Sequence, residues 1–341
     1  MCALSTDPPI NPSTPDDLSA TDLTWPDSPM RQPVISAIIC THNRADYLGA
    51  AIDSLLRQDC EASDIPFEVL VVDNASTDHT REVVEARVID RRLRYLYEPV
   101  TGLSVARNTG AKAARGPVLA YLDDDAEASP QWLRRLHEAF VDNDRLAIAG
   151  GRVTLLWPPG RSRPRWLSDG LTEPLGAYDL GDRAIAIRDP GQTPRGLNYA
   201  IRRSFLNEVG GFDPSLGRVG TKLLSNEELM MTEQAIARGW QVGYVPDAHA
   251  AHNVAPERLQ PRWFFKRAWW QGISECYREQ LAGRAGIEQL RLALDRFSRG
   301  LYKALRYWRN PALCFDNLVY AYGQLGYLLA ILRHFFGRSA L

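Results

Sequence analysis

Residues 34–44, VISAIICTHNR, decide the fold. Val34 to Cys40 form a short, almost unbroken apolar run, which stops abruptly at Thr41-His42-Asn43-Arg44. A strand that is apolar on both faces is one buried on both faces, as in a parallel sheet, and the polar tail is the loop it delivers. Residues 45–57 follow with Leu48, Ala51, Ile52, Leu55 and Leu56 on one stripe, the pattern of a helix packed on a core.

Outward from this unit the same pattern returns. Residues 67–72, FEVLVV, predict a second buried strand ending at Asp73-Asn74, and Ser76-Thr77-Asp78 opens a helix. Leu93 to Tyr97 is a third strand, and 103–114 is an Ala-rich helix. Residues 117–122, PVLAYL, run into the triple acid Asp123-Asp124-Asp125. Strands alternating with helices predict an α/β fold with a mostly parallel sheet and right-handed crossovers. Ligands of such sheets bind beyond the carboxyl ends of the strands, where the clusters 41–44, 73–74 and 123–125 would converge.

Past about residue 150 the alternation fades, and 157–195 is rich in Pro, Gly and Arg. A long irregular segment of this kind is expected to choose the substrate, together with Gly196 and Asn198. A helix opens at Asn226-Glu227-Glu228, a strand follows at Gln241–Tyr244, and from Pro261 the chain reads as helical. Residues 1–33, rich in Pro, Ser, Thr and Asp, read as a disordered lead. The expected organisation is this lead, an α/β domain over 34–255 and a helical region over 256–341.

Composition bounds the class. The 341 residues are 45% hydrophobic and 24% charged, ordinary for a globular protein, and the net charge of -1 argues against nucleic acid as a partner. From Pro256 onward fourteen Lys or Arg face six Asp or Glu. A basic region of this kind suits an anionic surface, such as the cytoplasmic face of a membrane, or simply solvated helix faces. The five cysteines form no CxxC pair, which fits a reducing compartment. No basic start followed by an apolar stretch marks a signal peptide, so a cytoplasmic protein, peripheral on the membrane at most, is expected. Residues 312–332 are apolar but hold Asp316, Asn317 and Gln324, which favours a buried or interfacial helix over a spanning one.

Several residue types at the strand ends carry chemistry. Asp123 and Asp125, at i and i+2 in an extended segment, point the same way and offer hard oxygens to Mg²⁺ or Mn²⁺; capping the next helix is the plainer alternative. Asp73 is placed to accept from a nucleobase or ribose, or to cap the helix after it. Thr41 and Asn43 are candidates for similar contacts, or for turn chemistry. Arg107 and Asn108 sit near a helix start that favours anions, where Arg107 would reach a diphosphate or pair with an acid such as Asp123. Glu227 and Glu228 are a general base and its neighbour, or acids favoured by the helix dipole. His252, rather than His249, is the expected third metal ligand. The aromatic set Trp263, Phe264, Phe265, Trp269, Trp270 and Tyr277, beside Arg262, Lys266 and Arg267, fits a membrane interface, an acceptor groove or a core stripe.

These stretches, taken in order, form a series. SAIICTHNR (36–44), VLVVDNASTD (69–78), GLSVARNTG (102–110), YLDDD (121–125), GGFD (210–213) and NEEL (226–229) resemble inverting glycosyltransferase family 2, whose fold is the GT-A type. The resemblance implies that Thr41, Asn43 and Asp73 bind the nucleoside, that Arg107 and Asn108 lie near the ribose and diphosphate, and that Asp123 and Asp125 form a DxD metal site. Glu228 falls on the aspartate of the family's ED motif and would be the base. Glu stands here in place of Asp, so Glu227 stays open as the alternative. Residues 216–229, Arg258-Leu259 and WFFKRAWWQGIS (263–274) look like bacterial transferases of exopolysaccharide and other cell-surface glycans. The resemblance thus implies a metal-dependent transfer from a nucleoside-diphosphate sugar to a glycan or lipid-linked acceptor. Two other classes fit part of the pattern. A sugar-1-phosphate nucleotidyltransferase would want a Gly-rich loop after the first strand, where Thr41-His42-Asn43-Arg44 stands. A non-catalytic nucleotide-sugar or glycan-binding protein would not need both acid pairs.

Overall fold

The computed structural model describes residues 31–218 and 225–337. Of the expected disordered lead, residues 1–30 lie outside the described residues. In chain order the strands are β1 (Ile35–Thr41), β2 (Phe67–Asp73), β3 (Leu93–Tyr97), β4 (Val118–Leu122), β5 (Ala126–Ala128), β6 (Leu146–Gly150), β7 (Val153–Leu156), β8 (Ile185–Ile187), β9 (Asn198–Arg202), β10 (Gln241–Tyr244) and β11 (Ala250–Asn253). The helices are α1 (Ala45–Leu56), α2 (Thr80–Glu85), α3 (Leu103–Ala113), α4 (Trp132–Val141), α5 (Arg203–Val209), α6 (Glu227–Ala237), α7 (Pro261–Leu281), α8 (Ile287–Arg306) and α9 (Pro311–Phe335).

The apolar runs become a central sheet in the order β3-β2-β1-β4-β9-β6-β10-β8. β1 pairs in parallel with β2 on one side and β4 on the other. The chain order therefore reverses at β1, and a crevice opens beyond the carboxyl ends of β1 and β4. β9 runs antiparallel to both β4 and β6, and β8 antiparallel to β10, so the sheet is mixed at that end. Helices cover the sheet: Leu48, Ala51, Ile52 and Leu55 of α1 are fully buried, as their spacing predicts. α2 begins at Thr80, later than Ser76-Thr77-Asp78. Asp78 is why: its carboxylate accepts from Thr80 N (3.1 Å) and from Ala45 N (3.1 Å), capping α2 while tying it to the start of α1.

A second, small sheet, β5-β11-β7, was not legible in the sequence. β11 pairs antiparallel with β5, setting His252 opposite Ala126. Because β5 begins immediately after the acidic triple, this register brings His252 to Asp125.

At the C-terminus, α9 packs between α7 and α8. Of the α7 aromatics, Trp263, Phe264, Phe265, Trp269 and Trp270 pack against the helical cores, all but Phe264 half-buried. Phe264 is fully buried and stands edge-on to Trp166 and Phe315, at 5.6 and 6.0 Å between ring centroids. Among the described residues no helix is long and apolar enough to cross a membrane, and Gln324 of α9 is buried in the helix packing.

Candidate active site

A cavity of about 210 Å³ occupies the crevice beyond β1 and β4. Its wall includes Cys40 and Thr41 from the end of β1, Asn74, Gly102 and Leu103 at the start of α3, the three acids, and Arg44 and Arg218. Asn74 shapes one side: its amide donates to Val100 O (2.7 Å) and accepts from Gly102 N (2.7 Å), pinning the loop that enters α3. Burial pushes the Cys40 thiol up to about 12, so it is a poor nucleophile at neutral pH.

The three acids behave differently because their surroundings differ. Asp125 is almost fully buried; its Oδ1 lies 3.1 Å from His252 Nε2 and its Oδ2 3.0 Å from Arg258 Nη2, and Arg44 pairs with it as well. Burial alone would raise its pKa, but the His252 hydrogen bond and the charges of Arg258 and Arg44 hold it well below the usual carboxylate range. Asp124 is raised to about 7 by burial and then by the charge of Asp125. Asp123 is raised by the same two causes, and its carboxylate has no hydrogen-bond or ion-pair partner among the described residues. It faces the cavity as an uncommitted acceptor.

Behind this wall lies a second charged cluster. Arg107, buried in α3, donates Nη1 to Glu227 Oε1 at 3.2 Å and reaches Glu228 Oε1 with Nη2 at 3.0 Å. Its guanidinium also lies against the rings of Phe212 and Tyr121, at 5.4 and 5.9 Å. Burial opposes the Arg107 charge, but Glu228, Glu227 and Asp123 together raise its pKa above the usual arginine value. Glu227 is raised to about 7 by burial and then by the charge of Glu228, and its Oε2 is buried without a partner among the described residues. The backbone at Gly196 runs directly over this pair: a Cβ there would fall 1.8 Å from Glu228 Oε1.

The structure therefore brings Thr41, Asp123 and Asp125 to the cavity, with His252 behind Asp125, and gathers Arg107, Glu227 and Glu228 beside it. Arg107, expected near a diphosphate, spends its guanidinium on the two glutamates and does not line the cavity. Three other expected contacts are turned away. Asp73 accepts from Ser76 N (2.9 Å) and Tyr95 Oη (2.8 Å), the capping role its position also allowed. Asn43 accepts from Thr77 N (2.7 Å). Asn108 clasps the backbone of Phe212, donating to its carbonyl (2.8 Å) and accepting from its N–H (2.9 Å). Asn198, expected to select substrate, is fully buried, accepting from Trp132 Nε1 (2.8 Å) and donating to Ala248 O (2.7 Å). His249 meets Thr154 Oγ1 at 2.8 Å instead of the acids.

Sequence reasoning singled out neither Arg44 nor Arg258 as site residues. Arg44 closes the quoted polar run, and that position was its only signal. Arg258 lies six residues past His252, and its only mark in the sequence is the Arg258-Leu259 pair of the finer resemblance, which gives it no role at the acids.

Comparison with known proteins bears on the family and the fold. Residues 36–210, about half of the chain, match the model of "Glycosyl transferase family 2". The chain is 27% identical over 263 residues to a glucosyl-dolichyl phosphate glucuronosyltransferase of Haloferax volcanii, covering 75% of this chain and 80% of that protein. It is 26% identical over 226 residues to glycosyltransferase AglE of the same organism, covering 66% and 68%. Among solved structures it is similar to a mannosyltransferase from Pyrobaculum calidifontis in complex with GDP-Man and Mn²⁺, with a TM-score of 0.53, 18% identity and 88% of each chain covered. That likeness is one of fold, and the fold is GT-A. The chain belongs to glycosyl transferase family 2 and is a glycosyltransferase.

Proposed function

We propose that the cavity binds a nucleoside-diphosphate sugar together with a divalent cation, and that the sugar passes to a glycan or lipid-linked acceptor with inversion at its anomeric carbon. The observation that carries this reading is the Asp123 carboxylate, partnerless among the described residues at the cavity wall and close to Asp125 and His252. Among the described residues no three His, Cys, Asp or Glu side chains surround one ion position. One or two carboxylates nonetheless suit Mg²⁺ or Mn²⁺, since such ions accept few protein ligands and complete their shell with phosphate oxygens and water. Asp123 and Asp125 are the residues that would hold the ion, with His252 bonded to Asp125 behind them, and when bound the ion would supply positive charge against the departing diphosphate.

The chain's own residues account for the rest. Arg44 and Arg218 line the cavity and offer guanidinium forks to phosphate oxygens. Glu228 is assigned as the group that takes the proton from the acceptor hydroxyl, with Glu227 as its buried neighbour and Arg107 fixing its carboxylate. The Haloferax relative's name, a glucuronosyltransferase of glucosyl-dolichyl phosphate, supports a lipid-linked acceptor here, and the ligands of the Pyrobaculum structure support a nucleotide sugar with Mn²⁺. A part in building cell-surface glycans on the cytoplasmic side of a membrane is consistent with such an acceptor.

The test is a thermal-shift screen of nucleoside-diphosphate sugars with and without Mn²⁺, followed by turnover of the donor that binds. Wild-type protein should be stabilised by one donor only when the ion is present, and Asp123→Asn should lose that dependence. Glu228→Gln should keep the donor-induced shift while transfer falls by about 10²- to 10⁴-fold. Donor binding indifferent to divalent ions, or normal transfer by Asp123→Asn, would overturn the reading.

A further inference from the structure

The helical C-terminal region carries a surface that neither its own packing nor the active site explains. In α8, Ala293, Gly300 and Ala304 are buried, and Gly300 lies close against Ala321 of α9. Ile287, Leu294, Leu301 and Leu305 recur at i, i+7, i+14 and i+18, a spacing that sets them on one side of the helix, and Trp308 extends the line just past its end. All five face solvent, from 39% exposed at Leu301 to 75% at Leu305. Exposed leucines are ordinary singly; a line of them along a whole helix marks a contact surface.

The polar residues of the same segment are mostly of one sign. Residues 287–309 carry Arg291, Arg296, Arg299, Lys303, Arg306 and Arg309 against only Glu288 and Asp295. Of the six cations, only Arg299 forms an ion pair among the described residues, with Asp295. A helix with a continuous apolar stripe, an aromatic at its end and unneutralised Arg and Lys on its other faces has the composition of one that lies in the plane of a bilayer. A twofold contact with a second copy would set this cationic segment against itself, which like-charge repulsion disfavours.

We propose that α8 docks the enzyme on an anionic lipid surface, its stripe from Ile287 to Trp308 entering the headgroup boundary and its arginines meeting lipid phosphates. The surface is α8; for the α7 aromatics the sequence left a membrane interface, an acceptor groove or a core stripe open, and Trp263, Phe264, Phe265, Trp269 and Trp270 pack on the helical cores. The proposal is independent of which sugar is transferred. It is tested by sedimenting the full chain with vesicles of phosphatidylcholine holding about one third phosphatidylglycerol, and with vesicles of phosphatidylcholine alone.

Wild-type protein should sediment with the anionic vesicles, and raising NaCl from about 0.1 M to about 0.5 M should release it. The combined Leu301→Glu, Leu305→Glu and Trp308→Glu variant should partition more weakly by at least about tenfold. Should that variant melt early, Arg291→Glu with Arg306→Glu, both exposed, tests the same docking through its charge. Failure of wild-type protein to sediment with either vesicle, or equal sedimentation by the variants, would overturn the proposal. So would a wild-type dimer in ultracentrifugation that the triple variant abolishes without lipid binding, which would give the face to a second copy. A donor-induced thermal shift that survives in every variant keeps this outcome separate from the reading of the active site.

Discussion

Asp123 and Asp125 sit two residues apart but differ in what each would cost to remove. Asp125 is the counter-charge of Arg44 and Arg258 and the hydrogen-bond partner of His252 in a nearly dry position. Replacing it with Ala takes the carboxylate from Arg258 and leaves Arg44 only Asp124 at 3.7 Å, and the fold should lose about 3–5 kcal/mol, read as a lower denaturation midpoint without any ligand. Asp123 has no such partner, so Asp123→Asn should melt close to wild type while failing in ion-dependent donor binding. Equal midpoints for Asp125→Ala and wild type would show that the arginines find other partners. Gly196 offers a further check on the base. A methyl there would fall 1.8 Å from Glu228 Oε1 and 2.4 Å from Arg107 Nη2, so the Glu228 carboxylate must move. Gly196→Ala should therefore lower kcat by on the order of 10²-fold with little change in donor affinity, because a base shifted by an ångström no longer meets its proton. A kcat within twofold of wild type would move proton abstraction elsewhere.

Elements here are positioned by close backbone approach as much as by apolar burial. α7 and α9 touch where Gly272 meets Gly323: a Cβ on Gly272 would lie 2.0 Å from Gly323 O and 2.7 Å from Tyr327 N. Both contacts are with backbone, which cannot turn aside as a side chain can. Gly272→Ala should push the helices apart and cost about 1–3 kcal/mol, measured as a lower melting midpoint. A neutral result would mean that α9 slides freely along α7. At the sheet, β5 and β11 do comparable work for the site, since their pairing sets His252 against Asp125. The sequence marked β1, β2 and β4 well, because a strand buried on both faces is apolar throughout. It did not mark β5, β7 and β11, which have three or four residues each and take their stability from one another.

For the whole molecule, the paired glutamates make stability depend on pH. Glu227 is raised from 4.5 to about 7 by burial and then by Glu228. A carboxyl with a higher pKa folded than unfolded binds more protons in the native state. Its contribution is complete below about 4.5 and is lost as pH rises through about 7. Glu227→Gln, a mimic of the protonated form, should thus gain in melting temperature relative to wild type as pH is raised from about 5 to about 8. A difference that stays constant over that range would mean that Glu227 is charged throughout.

The sequence by itself determined the alternating sheet, the edge where ligands gather, the family and the acidic residues, because each rests on a run of neighbours: apolar periodicity, a strand end or a short motif. It also showed that Asp73, Asn43 and Asn108 are polar residues at a strand end, a loop and a helix start, but not which way they turn. That was decided by distant partners, Tyr95, Thr77 and Phe212, and by the need to satisfy buried polar groups. Only the tertiary structure set Arg107 between Glu227 and Glu228, Arg258 on Asp125, and the apolar stripe of α8 in solvent. Charges pair through space with whatever the fold brings near, and a helix buries whichever face its neighbours cover, so neither outcome is written in local sequence.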